Sequence, residues 1–491
     1  MRWRDLLHQN QTLPLPPEWF DSPRRVHFIG VGGIGMSALA LLLKARGHYV
    51  SGSDASESAM LSQLREAGIE CFVGQNAENL GESEAVFYSS AISPDNPEFA
   101  AATQKNLPTW HRAQLLAHFA NGAQTSIAVS GTHGKSTTSA MIAHILTETG
   151  HNPTAILGAI YPPFESNLRV GNPDLIVVEA DESDGSFTLL QPTVAVVLNV
   201  EPEHLENYDE SEEELWRAFE MFVEGAEMPV LCANDAALCA RIPHDEYDLF
   251  GLEPKQEAVV SASQVRVESG KIHFQMHYGR DYPTFLTVPG RHNVSNAAAA
   301  VLCALNVEDS PFEESDEPSE AEIEWLLTLL PRFCEPLKTF AGTLRRFELK
   351  GEANGIAVYD DYGHHPTEVR ATLNAASDFL ERPIAVIFQP HRYSRTQALH
   401  REFGMAFESA EKIIITQLYS AFEEPIAGVS GRMVYEAVKE KNPLKDVFYA
   451  ENLAEAKRIA LQILEPGDAL ITMGAGDITK LGPQILEALE K

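Results

Sequence analysis

The stretch Ser130-Gly131-Thr132-His133-Gly134-Lys135-Ser136-Thr137-Thr138 decides how this chain is read. Before it, Thr125–Val129 is short and apolar enough for a buried strand. After it, Ser139–Leu146 is small and apolar at helical spacing. Strand, glycine turn and helix start together predict a phosphate-binding loop. Gly131 and Gly134 let backbone N–H groups turn inward, and the helix start adds partial positive charge. Lys135 can reach β- and γ-phosphates, and the Ser136 hydroxyl can ligate Mg²⁺. The loop is shorter than the usual G-x-x-x-x-G-K-[ST] form, since only Thr132 and His133 separate its glycines.

A further glycine loop, the first in chain order, lies upstream. Arg25–Ile29 reads as a strand, Gly30-Val31-Gly32-Gly33-Ile34-Gly35-Met36 as a turn, and Ser37–Arg46 as a helix; a second strand, Tyr49–Gly52, ends at Ser53-Asp54. Gly30, Gly32 and Gly35 keep the G-x-G-x-x-G spacing of a dinucleotide βαβ unit, with an acid after the second strand. The pattern offers a helix N-terminus to a pyrophosphate and a carboxylate to ribose hydroxyls. NAD is the first nucleotide it suggests, and a purely structural βα turn is the alternative. Ala85–Tyr88, a further strand, brings Ser89 and Ser90 to the same edge. Residues before Arg24 are rich in Pro and Gln and predict a loose arm, and a domain boundary falls near Asn121-Gly122.

The chain has 491 residues, 44% of them hydrophobic, enough for several domains. No apolar run is long enough to span a bilayer, and Met1-Arg2-Trp3-Arg4-Asp5 lacks a signal-peptide core, so a cytoplasmic protein is expected. The formal net charge of −33 argues against nucleic acid and anionic membranes as partners. The 5 cysteines include no Cys-x-x-Cys pair, which argues against a zinc site or a disulfide framework.

Past the phosphate loop, the strand Leu175–Val178 runs into Glu179-Ala180-Asp181-Glu182-Ser183-Asp184, an acidic strand end suited to a hard cation. Val194–Asn199, another strand, leads to Glu201-Pro202-Glu203-His204, where His204 could hold a second ion or a phosphate. Val259–Val288 predicts a small antiparallel appendage. Pro289-Gly290-Arg291-His292-Asn293-Val294-Ser295-Asn296 opens a helix over Ala297–Leu305; its Asn and His side chains could meet an adenine, or merely cap the helix. The acidic run Glu308–Glu324 predicts an exposed insertion.

A third α/β pattern follows. Ile356–Tyr359 ends at Asp360-Asp361-Tyr362-Gly363-His364-His365-Pro366, and Ile384–Phe388 ends at Gln389-Pro390-His391-Arg392-Tyr393-Ser394-Arg395. Lys412–Thr416 and Ala469–Met473 read as further strands. Strand ends bearing Asp, His and Arg gather on one edge of a doubly wound sheet. The guanidinium forks of Arg392 and Arg395 suit a carboxylate or a phosphate.

In order along the chain, Gly30–Ser37, Gly131–Lys135, Glu179–Asp184, His292–Asn296, Asp361–Pro366 and His391–Arg395 closely resemble the motifs of the Mur ligases. The departures are Gly363 where Ala is usual, Ser136 where Thr is usual, and the longer acidic run. The resemblance implies three α/β domains: a Rossmann-like UDP-sugar domain over 1–121 (with 1–23 as the arm), a P-loop ATPase domain over 122–336, and a Rossmann-like acceptor domain over 337–491. It replaces NAD by UDP at the first loop. It implies an ATP- and Mg²⁺-dependent ligase of peptidoglycan precursor synthesis, with UDP-N-acetylmuramate and L-alanine as partners. A carboxylate is phosphorylated by ATP, and the acyl phosphate is then attacked by an amine. The chain would be a monomer or a homodimer.

The implied sites follow the motifs. Lys135, Glu179 and His204 carry the chemistry, with Ser136, Glu179 and His204 as metal ligands. ATP is held by Gly131, Thr132, His133, Gly134, Lys135, Ser136, Thr137, His292, Asn293, Asn296, Arg346 and Asp361. The UDP-sugar and acceptor are held by Gly30, Gly32, Gly33, Ile34, Gly35, Met36, Ser37, Asp54, Ser90, Tyr362, His364, Arg392 and Arg395. Within the family, Gly32-Gly33-Ile34-Gly35 favours attachment of L-alanine over a preformed tripeptide. An NAD-dependent dehydrogenase would leave Gly131–Thr138 and the acids after it without a use, and a non-catalytic nucleotide sensor would not need Lys135, Glu179 and His204 together.

Overall fold

The computed structural model describes all residues except 1–2, 243–246, 254–257, 309–310, 312–318, 422 and 491. The predicted acidic insertion falls largely outside the described residues. The chain divides into two compact units. One comprises Met1–Ser263, Gln275–Thr284 and Ser295–Lys338; the other comprises Gln264–Phe274, Phe285–Val294 and Thr339–Lys491. Three α/β sheet systems are distributed over them, so the predicted fold class holds.

The first sheet is wholly parallel: β1 (Arg25–Ile29), β2 (Tyr49–Asp54), β3 (Glu70–Val73), β4 (Ala85–Tyr88) and β5 (Thr109–His111), in the order β3-β2-β1-β4-β5. Strand order reverses between β1 and β4, which opens a crevice at their carboxyl ends. The Gly30–Gly35 loop occupies that place, and the helix Ile34–Ala45 leaves it.

The central sheet contains β6 (Thr125–Ser130), β7 (Pro153–Tyr161), β8 (Ser166–Arg169), β9 (Asn172–Glu179), β10 (Val194–Val197), β11 (Met228–Cys232), β12 (Asp248–Leu252), β13 (Val260–Glu268), β14 (Lys271–Tyr278) and β15 (Arg280–Leu286). Their order is β15-β14-β13-β12-β11-β10-β6-β9-β7-β8. The phosphate loop follows β6, and the parallel neighbours of β6 are β9 and β10. Register pairs Val129 with Glu179 and Ser130 with Val197, so both acidic strand ends flank the loop. The β-like runs in 259–288 do not form a separate appendage. Because β13 pairs parallel with β12, they continue this sheet outward.

The third sheet runs β16 (Glu348–Ala353), β17 (Ile356–Asp361), β21 (Ala469–Met473), β18 (Ile384–Phe388), β19 (Lys412–Thr416), β20 (Asp446–Ala450). Only β16 is antiparallel. Alternation along β18 sends Ile384, Val386 and Phe388 to one core and Ala385 and Ile387 to the other. This double burial is the signature of helices on both faces.

A second expectation also fails. The arm before Arg24 is not loose: Trp3–Thr12 is a helix, and Pro17–Phe20 is a turn of 3₁₀ helix. Trp3 and Leu6 are buried. Trp3 packs where a Cβ on Gly185 would lie and stands 6.4 Å from the Tyr208 ring. Trp19 sits edge-on to Trp110 at 5.1 Å, and Phe20 stacks on Phe119 at 5.9 Å. Buried aromatic area anchors a segment whose composition alone reads as flexible.

Candidate active site

Short loops after the central strands place the first cluster. Gly131 (φ +132°) and Gly134 (φ +90°) adopt backbone conformations that side chains disfavour. A Cβ on Gly131 would lie 3.0 Å from the Asn199 carbonyl, and one on Gly134 would lie 3.0 Å from Asn296 Oδ1. Asn199 fastens the loop three times: its carbonyl accepts from Thr132 N–H at 3.1 Å, its Oδ1 accepts from His133 N–H at 2.8 Å, and its Nδ2 donates to the His133 carbonyl at 3.0 Å. Thr132 Oγ1 accepts from Glu201 N–H at 2.8 Å. The helix Lys135–Glu148 then starts at Lys135, so Ser136 and Thr137 lie in its first turn.

Lys135 Nζ donates to the carbonyls of Gly131 (2.7 Å) and Thr132 (3.1 Å) and pairs with Glu182 at 2.7 Å. Burial would lower its pKa, but the charges of Glu182, Asp181 and Glu179 outweigh that and keep the ammonium protonated. Glu182 is itself buried, and burial pushes its carboxyl up to about 7 despite Lys135. Its backbone carbonyl accepts from the Tyr208 hydroxyl. Glu179, at the end of β9, occupies the space that a Cβ on Gly158 would fill, so β7 needs glycine there. His204 has a left-handed backbone (φ +58°); its ring lies 3.9 Å from Glu203 and 3.8 Å from Glu206, and its charge acts on Glu182. The His133 ring lies 3.5 Å from Glu201 and 3.6 Å from Glu203. Ser136, Glu179 and His204 thus place a hydroxyl, a carboxylate and an imidazole on the segments around the loop.

The first glycine loop belongs to the same unit. Gly30 (φ +79°) and Val31 donate their N–H groups to the Ser53 carbonyl at 2.8 and 2.9 Å. Gly32 N–H donates to Asp54 Oδ2 at 3.0 Å, so Asp54 organises the loop as well as facing its edge. Gly33 caps the helix that contains Ile34, Gly35, Met36 and Ser37. Asn167 Nδ2 donates to the Ile34 carbonyl at 2.5 Å and lies 3.1 Å from Ser37 Oγ.

Arg112 joins the first glycine loop to the acidic strand end beside the phosphate loop. Its Nη1 would lie 3.3 Å from a Cβ on Gly35, while its Nη2 reaches Asp181 at 3.2 Å and Asp184 at 3.5 Å. Ser90 donates to Asp184 at 2.6 Å and contacts His111 Nε2 at 2.9 Å. Burial holds the His111 imidazole down to about 4. Burial alone would raise the Asp184 carboxyl, but Arg112, His111 and the bonds from Ser186 and Ser90 bring it to about 2. Because this lies below the ordinary aspartate value of about 3.9, Asp184 stabilises the fold fully above that pH. The contribution is lost as pH falls through about 2. We expect Asp184→Asn to flatten this acid limb and to cost about 2 kcal/mol at pH 7, as read by urea unfolding at pH 3 and pH 7.

The second unit carries its own cluster. Asp361 is buried, and its carboxylate is largely engaged by its own loop. Oδ1 accepts from Gly363 N–H (2.8 Å) and Thr372 Oγ1 (3.3 Å), and Oδ2 accepts from Phe347 N–H (2.8 Å). Oδ2 keeps acceptor capacity beyond its bond from Phe347. Arg345 and Arg346 lie over the Tyr362 ring at 4.9 and 5.3 Å, and Arg346 reaches Glu368 at 3.9 Å. Tyr362, His364 and His391 form a chain of rings at 5.3 and 5.7 Å. Burial holds His364 down to about 3 and His391 to about 4, so both rings are neutral at pH 7. Arg395 Nη1 lies 3.5 Å from His391 Nδ1. Arg392 has φ +69°, and its buried Nε has no hydrogen-bond partner among the described residues. Gly474, at the end of β21, separates these strand ends; a Cβ there would lie 2.8 Å from the Gln389 carbonyl. His292 fills the space beside Gly290 (φ +98°), and Asn293 Nδ2 donates to the Pro289 carbonyl at 2.6 Å.

The unit that contains both glycine loops therefore gathers Lys135, Ser136, Glu179, His204 and Asn296 at one and Asp54 at the other; Ser90 joins the Arg112 link. The second unit gathers Asp361, Tyr362, His364, Arg392 and Arg395. Asn199, Asn167 and Arg112 carry no role in the sequence reading, and Glu182 only its share in the acidic strand end. Glu182 and Asn199 do sit at strand ends, a signal that becomes specific once β9 and β10 are known to flank β6.

Residues 25–124, 129–304 and 345–476 match, in turn, the Mur ligase family catalytic domain, the Mur ligase middle domain and the Mur ligase glutamate ligase domain. The chain is 37% identical, over 95% of its length and 98% of the relative's, to UDP-N-acetylmuramate–L-alanine ligase of Sulfurihydrogenibium sp.. It is 40% identical to the enzyme of that name from Agrobacterium fabrum, over 93% and 94% of the two chains. The crystal structure of UDP-N-acetylmuramate-alanine ligase from Thermotoga maritima superposes with a TM-score of 0.79 at 29% identity, covering 95% of this chain and 99% of that one. With full-length identity at this level and all three domains matched in order, the chain belongs to the Mur ligase family.

Proposed function

We propose that this chain is an ATP-dependent ligase that joins L-alanine to the carboxylate of UDP-N-acetylmuramate, in the synthesis of peptidoglycan precursor in the cytoplasm. The observation that carries the reading is a pyrophosphate-type loop and a P-loop held in one unit and linked through Arg112, Asp181 and Asp184. A dehydrogenase has no use for the second loop. The name shared by the full-length relatives supplies the substrates. Among the described residues no helix is long and apolar enough to cross a membrane.

In this reading the sugar carboxylate attacks the γ-phosphorus of ATP, ADP leaves, and an acyl phosphate forms. The deprotonated amine of alanine attacks the acyl carbon, and inorganic phosphate leaves. Lys135 and the N–H groups of the loop neutralise the transferred charge. Ser136 and Glu179 would hold Mg²⁺, with His204 at a second position; the ion would supply further charge neutralisation. Asn296, and with it His292 and Asn293, would serve the adenine, and Arg346 and Asp361 the rest of the nucleotide. Gly30–Ser37, Asp54 and Ser90 would hold the UDP-sugar. Tyr362, His364, Arg392 and Arg395 would surround the amino acid.

The test is phosphate release from ATP with UDP-N-acetylmuramate, using L-alanine, L-Ala-D-Glu-diaminopimelate or no acceptor. Release that requires L-alanine is expected. Release with the tripeptide alone would reassign the chain to peptide ligation, and hydride transfer from any alcohol to NAD would overturn both.

A further inference from the structure

Glu98 is a fully buried ionisable group outside the clusters above. It is 0% exposed, as is its neighbour His27. It lies in the first turn of the helix Pro97–Gln104, capped by Asn96, whose Oδ1 accepts from Glu98 N–H at 2.9 Å. The helix start favours a carboxylate there. Four groups converge on that carboxylate. Oε2 accepts from Ser53 Oγ at 2.5 Å and lies 3.3 Å from His27 Nε2. Oε1 accepts from Asn79 Nδ2 at 2.6 Å and from Asn76 N–H at 3.2 Å.

These groups come from β1, from β2 and from the segment after β3. Ser53 is also the residue whose carbonyl receives the N–H groups of Gly30 and Val31. Asp54, next in sequence, receives Gly32 N–H on its carboxylate and Gly74 N–H on its carbonyl. Asn79 donates to the Gly74 carbonyl as well, at 2.9 Å. One buried carboxylate thus fixes the side chain of Ser53, whose backbone shapes the glycine loop, together with the loop that faces it across β2. A buried charge is a costly way to fill space, and an apolar side chain would fill it with less penalty. What a carboxylate adds is four acceptor sites at fixed angles.

We infer that Glu98 is a positioning residue for the UDP-sugar, acting through Ser53 to hold the Gly30–Gly33 backbone in its binding geometry. The inference rests on the reading of that loop as the UDP-sugar site. Glu98→Gln keeps the size but turns one acceptor into a donor, which faces the donors of Ser53 or Asn79.

Calorimetric titration of UDP-N-acetylmuramate and, separately, of ATP into the full-length protein tests this. In Glu98→Gln the UDP-sugar Kd should rise about tenfold or more, the equivalent of one charge-assisted hydrogen bond. The ATP Kd should stay within about twofold, and Glu98→Asp should recover part of the loss. Unchanged UDP-sugar affinity in a folded Glu98→Gln protein, or equal losses for both nucleotides, would overturn the inference. If Glu98→Gln does not fold, Ser53→Ala decides: weakened UDP-sugar binding with normal ATP binding supports the inference, and normal binding of both removes it. Wild-type protein that binds ATP but not the UDP-sugar would instead bring down the reading of the loop, and the inference with it.

Discussion

Lys135→Ala is expected to lower alanine-dependent phosphate release by at least about 10³-fold, leaving the far-ultraviolet spectrum and the UDP-sugar affinity unchanged. The ammonium is positioned by the carbonyls of Gly131 and Thr132 and by Glu182, with only 14% of the side chain exposed. Lys135 is the one lysine or arginine of the loop, and the chain as a whole is strongly acidic. Phosphoryl transfer between two anions therefore draws strongly on this side chain's positioned charge. The fold should survive because Glu182 has an alternative. Burial already lifts its carboxyl to about 7 with Lys135 opposing. Without Lys135 it rises further and takes up a proton, so no bare charge stays buried. Lys135→Arg should not rescue turnover, because a planar fork cannot replace a compact ammonium inside the glycine turn. Turnover of the alanine variant within about tenfold of wild type would remove Lys135 from the chemistry.

Legibility of the sequence followed burial. Ala85–Tyr88, Ile384–Phe388, Lys412–Thr416 and Ala469–Met473 are strands with the bounds their composition predicts. Each is a short apolar run, and the neighbouring polar residues leave no choice of ends. Helix starts were less legible. Lys135, Ile34 and Arg291 open their helices several residues before the apolar periodicity begins, because the first turn is made of site residues. The arm before Arg24 was misread because its anchors are isolated aromatics whose partners, Trp110, Phe119 and Tyr208, are distant in sequence. Candidate site residues were readable where a motif sits at a strand end. The pairing of Glu182 with Lys135 and the place of Arg112 have no such signal, since they depend on which strand lies beside which and on the packing of β5's end against the acidic loop. Strand adjacency of that kind has no local signal.

Arg392→Ala is expected to raise the KM for L-alanine by about 10²-fold while the KM for ATP changes by less than about twofold. Alanine offers one strong handle, its carboxylate, since its amine must stay free to react. Two arginines at the end of β18 could hold it, and the structure separates them. Arg395 is turned toward His391 at 3.5 Å. Arg392 combines a strained backbone (φ +69°) with a buried Nε that has no hydrogen-bond partner among the described residues. Backbone strain of this kind costs on the order of 1–3 kcal/mol and persists where a function holds it. A guanidinium N–H kept from water without an acceptor is poised for a carboxylate. The neutral rings of His364 and His391 beside it add no competing charge at pH 7. Arg392→Lys should recover little, because an ammonium cannot make the bidentate contact. The alternative outcome is equally readable. A large rise in the KM for ATP with the alanine KM unchanged would assign Arg392 to phosphate, and the acceptor pocket would then have to be sought away from the end of β18.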